Sequence, residues 1–210
     1  MGKLALYTLV PETKWLKDPM SGFFGFRKQS VYLDKVKPIG YKIMLEIFMN
    51  LKKGSKKTHL YYRYGYRKYG KSKLSIKVIM EFLEQIMRLN NYRVLIFLSV
   101  GVFGIFLNEY LLYLFYSITT ILYALIYAIT ISTVVNFLLN HFITFKSRSE
   151  IVGSFIKFVL VTTAGGIINL ITAYYLSFII MYLIANFVGI LVAFIFKYSL
   201  AESYIWSIKN

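Results

Sequence analysis

Residues able to do acid–base, nucleophilic or metal chemistry are scarce in this 210-residue chain. Cysteine is absent, which removes disulfides and thiolate metal sites together. Asp18 and Asp34 are the two aspartates, sixteen positions apart, so there is no D-x-D pair; no glycine-rich phosphate loop precedes a helix either. Clamping a diphosphate through a divalent ion needs acidic ligands at short spacing. No catalytic residue and no metal site is therefore assigned. His59 and His141 have no carboxylates at ligand spacing and read as structural or interfacial. What remains is a small polar set inside strongly apolar sequence: Asn108, Glu109, Asn136, Asn140 and Asn169. An ionisable group within a membrane span is a functional hypothesis by default, and Glu109 is the one well inside such a stretch.

The elements that position this set follow from an internal repeat. At an offset of 61 residues, Phe97, Gly104, Asn108, Ala124, Ala128, Ser132, Asn136 and Phe145 align without gaps with Phe158, Gly165, Asn169, Ala185, Gly189, Ala193, Lys197 and Trp206. Each copy is a long apolar segment, a short polar link, a second apolar segment and a polar-aromatic exit. A duplication fixes architecture before any other signal, and here it predicts two transmembrane hairpins. A bilayer core of about 30 Å takes roughly 20 apolar residues per helix. The spans are expected at 94–116, 121–143, 155–176 and 178–200, with the last turn near Leu176–Met181. Hydrophobic residues make up 58% of the chain and mean hydropathy is +0.58, which fits a membrane protein. The apolar patch Leu4–Val10 is too short for a signal peptide and is followed by charge.

Within the spans, Asn108 and Asn169 each follow a glycine, Gly104 and Gly165, by four residues in both copies. Glu109 is replaced by Leu170 in the second. Small residues recur at four-residue spacing, Ala124-Ala128-Ser132 and Ala185-Gly189-Ala193. Such spacing lets helices approach closely while Asn hydrogen-bonds across the contact. Gly104, Asn108, Asn136, Gly165 and Asn169 are accordingly assigned to intramembrane packing, with a substrate path along the same residues as the alternative.

Charge is uneven. Residues 1–93 hold 20 Lys and Arg against 6 Asp and Glu, and residues 94–210 hold 5 against 3. The links Ser117–Thr120 and Ser177–Met181 carry none, whereas the middle loop carries Lys146, Arg148 and Lys157. Because positive charge stays cytoplasmic, both termini and the middle loop are expected in the cytosol, in a multi-pass protein of the plasma membrane. The basic N-terminal half reads as attraction to anionic headgroups, about 1 kcal/mol per cation near the surface, and no nucleic-acid partner is expected.

In that half, residues 18–26 read as a turn leading into an extended apolar run. Pro38 to Asn50 has helical apolar spacing, 51–57 a solvated loop, and His59 to Arg67 enough alternation for a strand. From Ser75 to Arg88, apolar Ile76, Ile79, Met80, Leu83, Ile86 and Met87 oppose Lys77, Glu81, Glu84 and Arg88. This helix is expected to lie in the membrane interface, its stripe in lipid; packing on a soluble core is the alternative.

Three motifs carry a family resemblance. Asp18-Pro19-Met20-Ser21-Gly22-Phe23-Phe24 resembles the acceptor-side signature of polyprenol-phosphate (dolichol-phosphate) mannosyltransferases. Pro38-Ile39-Gly40-Tyr41-Lys42-Ile43-Met44-Leu45-Glu46 is similar to the helix that follows it, and Arg67-Lys68-Tyr69-Gly70-Lys71-Ser72-Lys73-Leu74 to an R-x-x-G-x-S-K-L motif of that family. The membrane half resembles the GtrA-like domain, on Gly104 with Asn108 and the run from Asn136 to Phe145.

The resemblance implies an α-helical membrane domain of four helices preceded by a partial α/β segment of the glycosyltransferase A type. Domains are expected at 1–74 (catalytic-domain fragment), 75–93 (interface helix) and 94–210 (GtrA-like). It implies a hexose, mannose in the family, passed from a sugar nucleotide to a polyprenyl phosphate. Lys17, Ser21, Arg67, Ser72 and Lys73 would bind the lipid phosphate; Lys17 stands where the family has Arg and supplies charge without a bidentate fork. Ser21 could equally be a turn cap and Lys73 a lipid-facing cation. The nucleotide-binding half, with the aspartates that hold Mg or Mn in the complete enzyme, is not found in these residues. They read as the C-terminal portion, inactive alone, needing no cofactor of their own and partnered by the bilayer, polyprenyl phosphate and a separate glycosyltransferase half. The alternative function is a GtrA-like protein that translocates or shelters a lipid-linked sugar. The repeats are parallel, not inverted as in many transporters.

Overall fold

The computed structural model describes residues 2–37, 39–40, 42–61 and 75–206. They form two compact units, Met1–Tyr92 and Arg93–Asn210.

In the first unit, helix α1 (Gly2–Leu9) leads into a 3-10 turn at Pro11–Trp15. Two further 3-10 turns, Lys28–Ser30 and Leu33–Lys35, precede helix α2 (Ile43–Met49) and helix α3 (Ile76–Leu89). The core is small: Leu6, Val10, Leu16, Leu45 and Ile86, with Met44, Phe48, Phe82 and Leu89 packed around it. Two polar ties hold α3 to it. The Arg88 guanidinium pairs with the buried Glu46 carboxylate, and Asn90 donates its amide to the Leu9 carbonyl. Ser75 starts α3 as expected of an N-cap, its hydroxyl accepting from Val78 N–H at 3.3 Å. The apolar face of α3 is divided. Phe82, Ile86 and Leu89 meet the core, whereas Ile76 and Met80 are 81% and 61% exposed, with Ile79 and Leu83 beside them also open.

The expected α/β character does not appear. Among the described residues the first unit contains no strand, only one isolated antiparallel bridge between Val31 and Leu51, flanked by Tyr32 N–H to Asn50 and Lys52 N–H to Ser30. A lone strand leaves one or both edges without ladder partners, and even a two-stranded hairpin is marginal in water. The segment from Gly22 to Phe26 accordingly runs without regular partners. Of the strand expected at His59–Arg67, residues 62–67 lie outside the described residues.

The second unit has four helices long and apolar enough to cross a membrane. They are α4 (Arg93–Tyr116), α5 (Ile121–Leu139), α6 (Ile151–Ser177) and α7 (Tyr182–Leu200). The expected spans match to within a few residues. The duplication is explicit in the backbone: α5 and α7 both end in a single π turn, Asn140–Thr144 and Ala201–Ile205, closed by Phe145 N–H to Asn140 C=O and Trp206 N–H to Ala201 C=O, each 2.9 Å. Buried positions are mostly small, Ala124, Ala128, Ser132, Ala185, Gly189 and Ala193, while Ile105, Phe106 and Leu170 point outward, the opposite of a water-soluble bundle.

Candidate functional site

Two places carry the residues singled out above. The first is the loop after α1. Asp18 forms an Asx-type turn, its carboxylate accepting from Met20 N–H at 3.2 Å. Ser21 Oγ accepts from Phe23 N–H at 3.1 Å and makes a longer contact, 3.4 Å, to the Phe23 carbonyl. Ser21 is thus a turn residue whose proton is weakly held. The Lys17 ammonium is exposed, bonded to the Tyr61 hydroxyl and 4.9 Å from the centre of its ring. Lys42, which sequence reading left without a role, ties the loop to the start of α2 through the Met20 carbonyl at 2.8 Å. Arg67, Ser72 and Lys73 lie outside the described residues, so the loop is placed but its assembly with them is not. Among the described residues no three acidic or histidine side chains converge.

The second place is a cleft of about 580 Å³ in the second unit, between α4, α6 and α7. All five residues assigned to packing line it: Gly104, Asn108, Asn136, Gly165 and Asn169. So do Glu109 and Lys197. In the first hairpin, Asn108 Oδ1 accepts from Ser132 Oγ at 3.3 Å, and Asn136 Oδ1 from Asn140 Nδ2 at 2.9 Å. Asn140 Oδ1 in turn accepts from Thr144 at 2.9 Å. Gly104 makes room for the Asn136 amide: a Cβ there would sit 2.4 Å from Nδ2. In the second hairpin, Gly165 makes room for Lys197, whose Cγ, Cδ and Cε would lie 2.6–2.8 Å from such a Cβ. Asn169 Oδ1 is buried against Gly189 and has no hydrogen-bond partner among the described residues.

Above the cleft, at the end where Arg93 pairs with Glu202 at 3.0 Å, an aromatic cluster joins the hairpins. Its contacts come in repeat-related pairs. Phe97–Tyr198 is 5.5 Å between centroids and Phe158–Phe137 is 5.6 Å; Phe97–Phe145 is 6.1 Å and Phe158–Trp206 is 5.9 Å. Phe145 and Trp206, equivalent to each other, stack at 4.5 Å. His141, buried, accepts from Trp206 Nε1 at 3.0 Å, the structural role expected of it.

The description of the GtrA/DPMS transmembrane domain matches residues 96–206, just over half of the chain. The chain belongs to the GtrA/DPMS transmembrane-domain family. As a member it is an integral membrane protein in contact with the lipid bilayer. It is also similar to two dolichol-phosphate mannosyltransferases. That of Pyrococcus furiosus is 37% identical over 216 residues, covering 99% of this chain and 60% of the relative. That of Mycosarcoma maydis is 36% identical over 81 residues, 36% of this chain and 27% of the relative. This chain thus spans about 60% of the length of the first of these relatives.

Lys197 is the residue the sequence reading underused. The repeat aligns it with Asn136, and no site role follows from its sequence context alone. The signal was a departure from symmetry: an amide in one copy and a cation in the other.

Proposed function

We propose that this chain is the acceptor-side and membrane-anchoring portion of a polyprenol-phosphate glycosyltransferase. The observation that carries the reading is the similarity to a dolichol-phosphate mannosyltransferase across 99% of the chain, loop and membrane bundle together. In this reading a polyprenyl phosphate presents its phosphate at the level of residues 17–24 and 67–74. A phosphate oxygen attacks the anomeric carbon of a hexose, mannose by likeness to the relatives, and the bond to the nucleotide diphosphate breaks as the new C–O bond forms. The nucleophile is already ionised at neutral pH, so the protein positions it and neutralises charge instead of acting as a strong base. Lys17, Arg67 and Lys73 supply cations, and Ser21 and Ser72 supply hydroxyl donors. The Ser21 proton, held only by the 3.4 Å contact to Phe23, is available to a phosphate oxygen.

Helix α3 lies in the interface with Ile76, Ile79, Met80 and Leu83 in lipid. Both termini and the loop at Lys146–Glu150 face the cytosol of the plasma membrane. Nucleotide and metal binding are supplied by a separate glycosyltransferase half, and these 210 residues alone transfer no sugar.

The test is binding of polyprenyl phosphate to purified protein. Replacing Ser21, Arg67 or Lys73 by Ala removes a charge-assisted hydrogen bond and should weaken binding roughly ten- to a hundredfold. Unchanged binding in all three contradicts the acceptor-site assignment. Chelator-sensitive sugar transfer by these residues alone contradicts the division of labour. The polar cleft favours a second reading, in which the bundle shelters or translocates a lipid-linked sugar.

A further inference from the structure

We infer that the cleft between the two hairpins contains a phosphate site inside the bundle, in which Lys197 with the amides of Asn108 and Asn169 holds the phosphate of an isoprenyl phosphate. The identity of the lipid chain rests on the function proposed above; the preference for phosphate rests on the cleft alone.

The repeat isolates the unusual feature. Where the first hairpin has Asn136 bonded to Asn140, the second has Lys197 followed at that place by Ala201. Where Ser132 serves Asn108, the second has Ala193 beside Asn169. Methyl groups satisfy neither. Among the described residues the Lys197 ammonium makes no ion pair or hydrogen bond, and Asn169 Oδ1 has no partner.

The cation is also aimed inward. Its stem lies across Gly165, in space a methyl group would occupy. Phe97 sits against Phe194 and Tyr198, which places Lys197 near the first turns of α4. Side chains of a helix point toward its N-terminus, so on α7 Lys197 leans away from the Arg93–Glu202 end. A lipid-facing lysine would snorkel the other way, toward the surface.

Glu109, the carboxylate in the lining, does not serve as counter-ion. Lys197 is five residues, and Glu109 sixteen, from the Arg93–Glu202 pair. Their backbone positions are offset by about 16 Å along the bundle; the Lys197 stem makes up part of this by reaching over Gly165, one turn from Asn169, yet no ion pair joins Lys197 to Glu109 among the described residues. An unpaired ammonium in the hydrocarbon region is expensive, so an anion that enters the cleft is strongly favoured.

The amides select oxyanions. Asn108 Oδ1 is occupied by Ser132 and Asn169 Oδ1 is turned onto Gly189, which leaves their NH₂ groups, donating to no described residue, for a ligand. A terminal phosphate carries about −1.5 to −2 charge and three acceptor oxygens. Cleft walls of Val102, Val161 and Ile190 are suited to the isoprenyl chain that follows.

The full chain in detergent, studied by native mass spectrometry, tests this with polyprenyl phosphate, unphosphorylated polyprenol, phosphatidylglycerol and inorganic phosphate as probes. Lys197→Met should weaken polyprenyl phosphate binding at this site at least roughly tenfold, the loss expected for a charge-assisted contact. Gly165→Ala, which keeps the charge but displaces the stem, should do the same, and Lys197→Arg should retain binding. Ser21→Ala should weaken only a separate, loop-dependent binding event; if it has no effect while Lys197→Met does, the loop assignment fails and the cleft site stands. Wild-type affinity in both Lys197→Met and Gly165→Ala overturns the site. Equal Lys197 dependence for phosphatidylglycerol or for unphosphorylated polyprenol, or displacement by inorganic phosphate at millimolar level, overturns the ligand assignment.

Discussion

The two hairpins of the bundle share one backbone plan and differ in how their polar side chains are satisfied. Both place a glycine opposite a polar residue, Gly104 under Asn136 and Gly165 under Lys197, and both end in a π turn beneath a shared aromatic cluster. The first hairpin closes its polar groups on one another, Ser132 to Asn108 and Thr144 to Asn140 to Asn136. The second has alanine at two of these places and leaves a cation and an amide oxygen open. Shape is thus held by the aromatic and small positions, which match between copies. The polar positions are where the copies part, and so where a ligand is expected.

The largest effects should come from the matched part. Trp206 is 2% exposed and Phe145 6%, each stacked on the other. Truncation of a buried aromatic costs about 3–5 kcal/mol, so Trp206→Ala and Phe145→Ala should each lower the unfolding midpoint in detergent, read by circular dichroism, by similar amounts. A loss confined to one of them would break the symmetry.

Glycine substitutions come next and should separate the copies. A Cβ at Gly189 meets the Asn169 backbone oxygen at 2.9 Å as well as its side chain, whereas at Gly104 it meets only the Asn136 amide. Overpacking costs about 1–3 kcal/mol, and Gly189→Ala should lie at the upper end, Gly104→Ala at the lower. The same unfolding measurement decides. The smallest effect sharpens the comparison most finely. Ala193→Ser offers Asn169 the hydroxyl that Ser132 gives Asn108, and an interhelical hydrogen bond in a membrane averages about 0.6 kcal/mol. Ala193→Ser should raise the midpoint slightly, and Ser132→Ala should lower it by a like amount.

Much of the bundle was legible in the sequence, because a gapless 61-residue offset and four charge-poor stretches leave little freedom. The partition of polar groups was not. Asn108 and Asn169 look identical in sequence, and only the residue one helix away, Ser132 or Ala193, decides which is satisfied. In the first unit, the strand suggested by alternation among tyrosines lies mostly outside the described residues; among the described ones the extended segments pair only at the Val31–Leu51 bridge, because a strand needs a partner that pattern alone cannot supply. The α3 stripe read as a single face; the fold divides it because the core reaches only as far as Phe82. Lys17 and Ser21 stand out by motif alone, and the structure adds why the loop keeps its shape, through Asp18 and Lys42.

One measurement tests the contrast between hairpins most directly: thermal unfolding of ligand-free Asn136→Met beside Lys197→Met, equivalent positions given the same side chain. Asn136→Met removes one of the two acceptors of Asn140, leaving the Asn136 backbone carbonyl, and should lower stability by about 1 kcal/mol. Lys197→Met keeps a stem over Gly165 and removes an unpaired intramembrane cation, so it should raise stability. Opposite signs are the predicted result. A fall in both would mean that Lys197 is as well satisfied as Asn136, and the open site in the second hairpin would not exist.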